Sequence, residues 1–569
     1  ANLDSLKRTQ AEIDAEVTPV NFAFTPGHAQ RFAVLDGTTD DTTALKNWAK
    51  VLGYHYFPAL TAKITGEIDT LVSHSTFEFA KGAVIQTATQ NISLFSADSK
   101  TNISITGAKF KQTSAGSTAY VAGVRLTSCS YCDIKDCEFE GMQWCGVYLD
   151  DSTQCNVLSN YIHDTLSSAL TDVADIIVYR SASFNTIANN RCFGGLNADH
   201  GIFCQGPAGV GTPAYNKISK NWVGDHRSYG IVFYIGPGQG DNQCLGNTVQ
   251  NITGTGVAGA SGSGIYCVGN GLGAMQVCNN LVRNCCISTT SAANGPGGIS
   301  INDTTISASR IICEGNIVEE MEQGSGILIS TVVGGGSVTG NTVRIPASND
   351  GTGPGGATLQ GDGMRVIASS GVTLQGNTVL NLGAGDACFS FASGVSVDRI
   401  NISGNIFRAS TGNALHVDRT AAFLHTDCVF SNNILRSDDA SNMLNMVGAD
   451  RCVVTGNSGN SNTAPAFSFT SVTGVRVANN SGFTNSATGV ATAGTCTASY
   501  YDKTNYITGT INNGGAGFKT EFFAAVAPAA GTAAVGDAAE QSVPVVGNPK
   551  RWRCTVAGTP GTWVSEGNL

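Results

Sequence analysis

Cys145-Gly-Val-Tyr-Leu-Asp150, Asp175-Ile-Ile-Val-Tyr-Arg180, Asp199-His-Gly-Ile-Phe-Cys204 and Arg227-Ser-Tyr-Gly-Ile-Val-Phe-Tyr234 are four short apolar runs, each entered or left by charged or aromatic residues. Their apolar residues recur with the period of a strand, not of a helix. The pattern returns with plainer ends at Gly264-Ile-Tyr-Cys267, Gly298-Ile-Ser-Ile301, Gly326-Ile-Leu-Ile329, Gly363-Met-Arg-Val366 and Ala414-Leu-His-Val417. The first and third residues after the small one are expected to face a core, the second and fourth to face out.

Between these runs lies a second marker, an Asn-containing corner before a short strand. It falls at Asn160, Asn190, Asn221, Asn247, Asn280, Asn316, Asn341, Asn377, Asn405, Asn433, Asn457 and Asn480. Spacings of about 23 to 36 residues signal a repeat architecture with loops of varied length. Asn and Gly tolerate left-handed backbone, and stacked corners predict a ladder of Asn side chains. Seventy glycines and 13% charged residues among 569 also favour short strands and tight turns. Repeats without helical segments predict an all-β parallel β-helix over residues 70–483, instead of a leucine-rich, propeller or helical-repeat fold.

At the N-terminal end, Leu3, Leu6, Ile13 and Val17 are spaced as in a short helix that packs on copies of itself or on a preceding domain, with a loose chain end as the equal alternative. The chain opens Ala1-Asn-Leu-Asp without methionine, as expected of a processed or trimmed piece of something longer. Then comes Arg31-Phe-Ala-Val-Leu-Asp36-Gly-Thr-Thr-Asp40-Asp41-Thr-Thr-Ala-Leu-Lys-Asn-Trp48. Asp40 or Asp41 is placed to cap a helix whose apolar face is Ala44, Leu45, Trp48 and Leu52. Tyr54-His-Tyr-Phe57 before Pro58 reads as a strand.

This segment resembles the opening of the pectate-lyase-like proteins of phage tailspikes. The resemblance implies a cap on a right-handed β-helix, here 31–69, preceded by an N-terminal helix and connector over 1–30. It also implies a homotrimer joined to a phage tail or baseplate through its N-terminal region, located on the virion and acting at the host cell surface on a bacterial surface polysaccharide. The C-terminal region 484–569, with a linker-like stretch at 524–549 and an expected hairpin from Trp552 to Ser565, resembles phage tail endings; its expected role is to register a trimer or seal the end.

Several classes are disfavoured. A formal charge of −10 without a basic run argues against nucleic acid. No apolar run approaches the roughly 20 residues of a membrane helix, so no membrane insertion is expected. The 18 cysteines, many at strand positions where Val or Ile would serve, read as small buried hydrophobes of a chain folded in reducing conditions. Cys129-Ser-Tyr-Cys132 lacks a second ligand pair, so no metal and no cofactor is expected.

Aligned on the small residue, His200 and Tyr229 share a column, Asp175 takes the glycine's place, and Asp199, Asp225, His226 and Arg227 lie just upstream. Glycoside hydrolysis needs two carboxylates, and Asp175 with Asp199 on neighbouring turns is the first pair, with His200, Arg227 and Tyr229 positioning substrate. Elimination on a uronate polymer would instead use His200 or Tyr229 as base with Arg227 or Arg180 as cation. Each Asp also has a plain role as a turn cap. A second column, Asp150, Gln205 and Tyr234, with Arg180 one place further along its rung, has Tyr148, Phe203 and Tyr266 beside it; with Asp225 and His226 these are the expected sugar contacts. A non-catalytic adhesin using the same face is the third reading.

Overall fold

The computed structural model describes residues 8–166, 170–206, 211–235, 241–255, 262–269, 273–287, 297–303, 310–348, 361–383, 387–391, 396–417, 425–508, 510–514, 516–543 and 545–568. The chain forms two compact units, 1–294 and 295–569.

In the first unit each turn of chain lays one short strand on each of three parallel sheets. The first sheet stacks Asp133–Lys135, Asn156–Leu158, Thr186–Ala188 and Lys217–Ser219 in register. The second stacks Glu138–Glu140, Tyr161–His163, Arg191–Phe193 and Trp222–His226. The third carries the runs that opened the sequence reading: Ala122–Thr127, Cys145–Asp150, Ala174–Tyr179, His200–Gln205, Tyr229–Ile235 and Ile265–Gly269. The second unit repeats the coil, its third sheet running in parallel register from Gly297–Asp303 through Ser325–Ser330, Met364–Ile367 and onward. The fold is a right-handed parallel β-helix.

The corner marker has a definite geometry. The residue before each ladder Asn takes left-handed backbone, with φ of 57° at Ser159 and Asn189, 56° at Lys220 and 63° at Gly246. That is why Gly or Asn so often precedes it. The Asn side chain is buried and bridges turns: Asn221 Nδ2 donates to Ile187 O at 2.9 Å and Asn247 Oδ1 at 3.0 Å, while its own Oδ1 accepts from the backbone and side-chain nitrogens of Asn190. The predicted ladder therefore forms, and in the second unit it links Asn316, Asn341, Asn377, Asn405, Asn433, Asn457 and Asn480.

The small-residue marker is steric. A Cβ on Gly201 would stand 2.2 Å from Val223 Cγ1, and one on Gly230 2.2 Å from Val249 Cγ1. The glycine and the residue after it both turn inward there, so the strand's strict alternation is broken at its entrance. Beyond it alternation holds, and Val147, Leu149, Ile176, Val178, Ile202, Cys204, Ile231 and Phe233 fill the interior. In the first unit the outward side chains are covered. Tyr148, Ile177, Phe203, Val232 and Tyr266 point out but are buried, because Val121, Trp144 and Val173, from the segments that enter the third sheet, pack over them. The cysteines stand as thiols, all buried except the half-buried Cys278.

At the ends, several expectations change. The N-terminal helix spans only Gln10–Asp14, begun by a capping box between Thr9 and Glu12, with Glu16 left-handed just beyond it; Leu3 and Leu6 lie outside the described residues. The cap helix is Thr42–Ala49 with Leu45 and Trp48 buried, but it ends before Leu52, which is exposed. Of the two capping candidates, Asp40 Oδ1 accepts from the Thr42 nitrogen at 3.1 Å, whereas Asp41 makes no side-chain cap and accepts from the backbone nitrogens of Val34 and Leu35. Parallel pairing also continues past 484, through Thr488–Ala493 with Thr510–Asn513 and Thr495–Tyr501 with Ala516–Ala524. The expected hairpin is present as Arg551–Val556 against Thr562–Ser565.

Candidate functional site

The sequence alignment of columns is reproduced by the strand registers. Ala174, His200 and Tyr229 share one column, and Asp150, Tyr179, Gln205 and Tyr234 another. What the alignment misjudged is which way some of them point.

Asp175 is expected as a catalytic carboxylate and His226 as a sugar contact, but both are buried. Asp175 occupies the inward glycine column and has no solvent exposure. Its space comes from Cys192, which stands in the second-sheet column where the neighbouring turns place Ile162 and Val223. There its Oδ2 lies 3.0 Å from His226 Nε2, also fully buried, and its Oδ1 accepts from Thr165 at 3.2 Å. Burial pushes the Asp175 carboxyl up, opposed by the nearby His226. A polymer cannot reach this pair, so the site is built without it.

Asp199, His200, Arg227 and Tyr229 do lie together on the outer side, beneath the covering segments. Asp199 is buried; its Oδ1 accepts from Arg227 Nη2 at 2.7 Å and its Oδ2 from the Val173 nitrogen at 3.2 Å. His200 stacks on Tyr229 at 5.5 Å between ring centroids, and Tyr229 on Tyr266 at 4.7 Å. Phe203 packs on His200 at 4.7 Å. His200 Nε2 reaches Asp172 Oδ1 at 3.4 Å. This group is a frame that holds the entrances of three strands. Asp225 and Tyr234 are separate from it: Asp225 is exposed on the second sheet and accepts from Asn251 Nδ2 at 2.9 Å, and Tyr234 is exposed further along the third.

Beside the frame a cavity of about 530 Å³ opens on the third sheet, within the usual size of small-ligand pockets, roughly 300–1,000 Å³. One wall is a run of aromatic rings: Tyr120 and Trp144 with centroids 4.9 Å apart, Trp144 and Tyr148 at 5.0 Å, Tyr148 and Tyr179 at 5.9 Å. The rest of the lining includes Arg125, Asp150, Asp172, Arg180 and Gln205. Arg180 Nη1 lies 3.4 Å from Asp150 Oδ2 and 3.6 Å from Asp151 Oδ2. Asp150 is buried, and burial raises its carboxyl above the ordinary range, partly countered by Arg180. Trp144 Nε1, Asp150 Oδ1 and Arg180 Nε are buried without a partner among the described residues. Such atoms are rare in folded proteins and call for an explanation.

Of the sequence candidates, the cavity unites Tyr148, Asp150, Arg180 and Gln205. It adds Tyr120, Arg125, Trp144, Asp172 and Tyr179. Arg125 and Tyr179 were within reach of the alignment, since they stand in the columns of Tyr148 and Asp150. Tyr120, Trp144 and Asp172 come from irregular segments, where no periodic signal exists.

Glu138, Glu140 and His163, on the second sheet, offer possible metal ligand atoms within 4.8 Å of one another. Lys109 and Lys111 already bind both carboxylates, so the cluster is a charged ladder across strands.

In sequence, the family described as periplasmic copper-binding protein (NosD) matches residues 67–266. Among the described residues the one three-ligand cluster is the lysine-bound Glu138, Glu140 and His163, and the thiols are interior. No curated protein matches the chain. Among solved structures, a surface adhesin of Streptococcus pneumoniae covers 96% of this chain and 100% of its own at 10% identity and TM-score 0.33. A tailspike of an E. coli bacteriophage covers 82% and 78% at 12% identity and TM-score 0.41. The catalytic unit of an α-1,3-glucanase from Streptomyces thermodiastaticus covers 74% and 64% at 14% identity and TM-score 0.36. At these scores none of the three bears on what this chain does.

Proposed function

We propose that the cavity binds a bacterial surface polysaccharide and cuts it within the chain by glycoside hydrolysis. The observation that carries this is the set of buried, unpartnered polar atoms of Trp144, Asp150 and Arg180 around one aromatic-walled cavity. Aromatic faces stack on sugar rings while planar polar groups bond hydroxyls. Two carboxylates in different surroundings share the lining. Asp150, held toward its protonated form by burial, is the proton donor; Asp172, more exposed, is the second carboxylate, acting on the opposite side of the bond. Asp199, His200, Arg227 and Tyr229 act in this reading as the frame that positions Asp172. The setting is a homotrimeric phage tailspike at the host surface, supported by the Arg31–Phe57 segment, and light scattering giving three chains per particle checks it.

Incubation with host surface polysaccharide is expected to shorten the polymer and release new reducing ends. Asp150→Asn and Asp172→Asn are each expected to slow this by about 100-fold or more. Retention within about tenfold would defeat the assignment, since that is only about 1.4 kcal/mol of barrier. New ultraviolet absorbance from an unsaturated uronate would replace hydrolysis by elimination. A second reading, binding without cleavage, is favoured by one contact: Arg180 beside Asp150 stabilises the charged carboxylate and works against proton donation. Unchanged polymer length with retained binding would establish it.

A further inference from the structure

We infer that the saccharide bound here is acidic and that Arg125 receives its carboxylate. The inference rests on the saccharide reading above and deepens it. Arg125 stands beside Tyr148 in the outward column of the third sheet, its guanidinium 5.6 Å from the centre of that ring. Arg180 has carboxylate neighbours in Asp150 and Asp151, and Asp172 has a contact with His200 Nε2. Arg125 is half-buried and makes no ion pair within 4.0 Å among the described residues, Asp150 being near enough only to feel its charge.

The Tyr148 ring fixes the guanidinium without neutralising it. A partly desolvated cation is costly unless an anion joins it. The planar fork of arginine matches a carboxylate through two parallel hydrogen bonds, a geometry that a neutral hydroxyl cannot use. The aromatic wall beside it places that carboxylate on a ring stacked against Tyr148 or Trp144. A uronic acid and a pyruvate ketal both present this group.

The test uses the whole chain on a retention column against alginate, hyaluronate, polygalacturonate and colanic acid, each also after carboxyl reduction, with dextran as a neutral polymer. Retention of at least one acidic polymer is expected, falling at least about tenfold on carboxyl reduction. Arg125→Gln is expected to lose the same preference, while Arg125→Lys keeps part of it and shows that the fold survives. Mild acid, which strips pyruvate ketals and spares uronates, separates the two sources. Retention of dextran or of the reduced polymers equal to that of the acidic ones, indifferent to Arg125→Gln, would overturn the inference and leave the saccharide reading standing. Retention of no polymer at all would overturn both.

Discussion

Asp150 and Asp175 show how a single direction of a side chain decides a role. Both are buried acids whose carboxyls are pushed up by burial, but only Asp150 lines a cavity. If protonated Asp150 is the donor, cleavage falls as pH rises through its raised pKa. Arg180 opposes that rise, so Arg180→Gln should move the alkaline limb of kcat/KM to higher pH, whatever it does to the overall rate. A limb that stays or moves to lower pH would mean another group titrates. The column containing Asp175 was legible in the sequence. Its direction was not, because the strand bends at the glycine and alternation cannot be carried through the bend. Cys192, a small residue where neighbouring turns carry Ile162 and Val223, was the available hint that something larger than glycine was being received from the facing strand.

At the scale of elements, the coil was readable because its corners have strict local demands. From Asn160 onward a left-handed residue followed by a buried Asn recurs as a mark, most often as Gly-Asn or Asn-Asn. Past 484 the mark weakens to Thr504-Asn505, although Asn480 Nδ2 still donates to Asn505 Oδ1 at 2.8 Å, and the parallel strands went unread there. The ladder is a chain of buried amides in which each member satisfies its neighbours. Asn221→Ala deletes Oδ1, which accepts from Asn190 N and Nδ2, and Nδ2, which donates to Ile187 O and Asn247 Oδ1. The expected loss is about 1–3 kcal/mol, read as a lower urea midpoint. A change under about 0.5 kcal/mol, the size of an ordinary surface substitution, would deny the ladder its structural part.

For the whole molecule, the coil repeats in both units, so the coil itself does not identify a function. In the first unit, loop residues such as Trp144 and Val173 cover the outward side chains of the third sheet and leave a cavity at one edge of the cover. Half of that cavity was legible, through the columns of Tyr148 and Asp150 with Arg180 and Gln205. The half supplied by Tyr120, Trp144 and Asp172 was not, because irregular segments carry no period by which to align them. A saccharide is proposed to sit between the aromatic wall and the Asp150–Arg180 pair. The most direct measurement is a crystal of the full chain soaked with oligosaccharides from the host polymer. Sugar density is expected stacked on Trp144 or Tyr148, with a hydrogen bond to Asp150 Oδ1 or Arg180 Nε. Density confined to another face, with this cavity empty at saturating oligosaccharide, would contradict it.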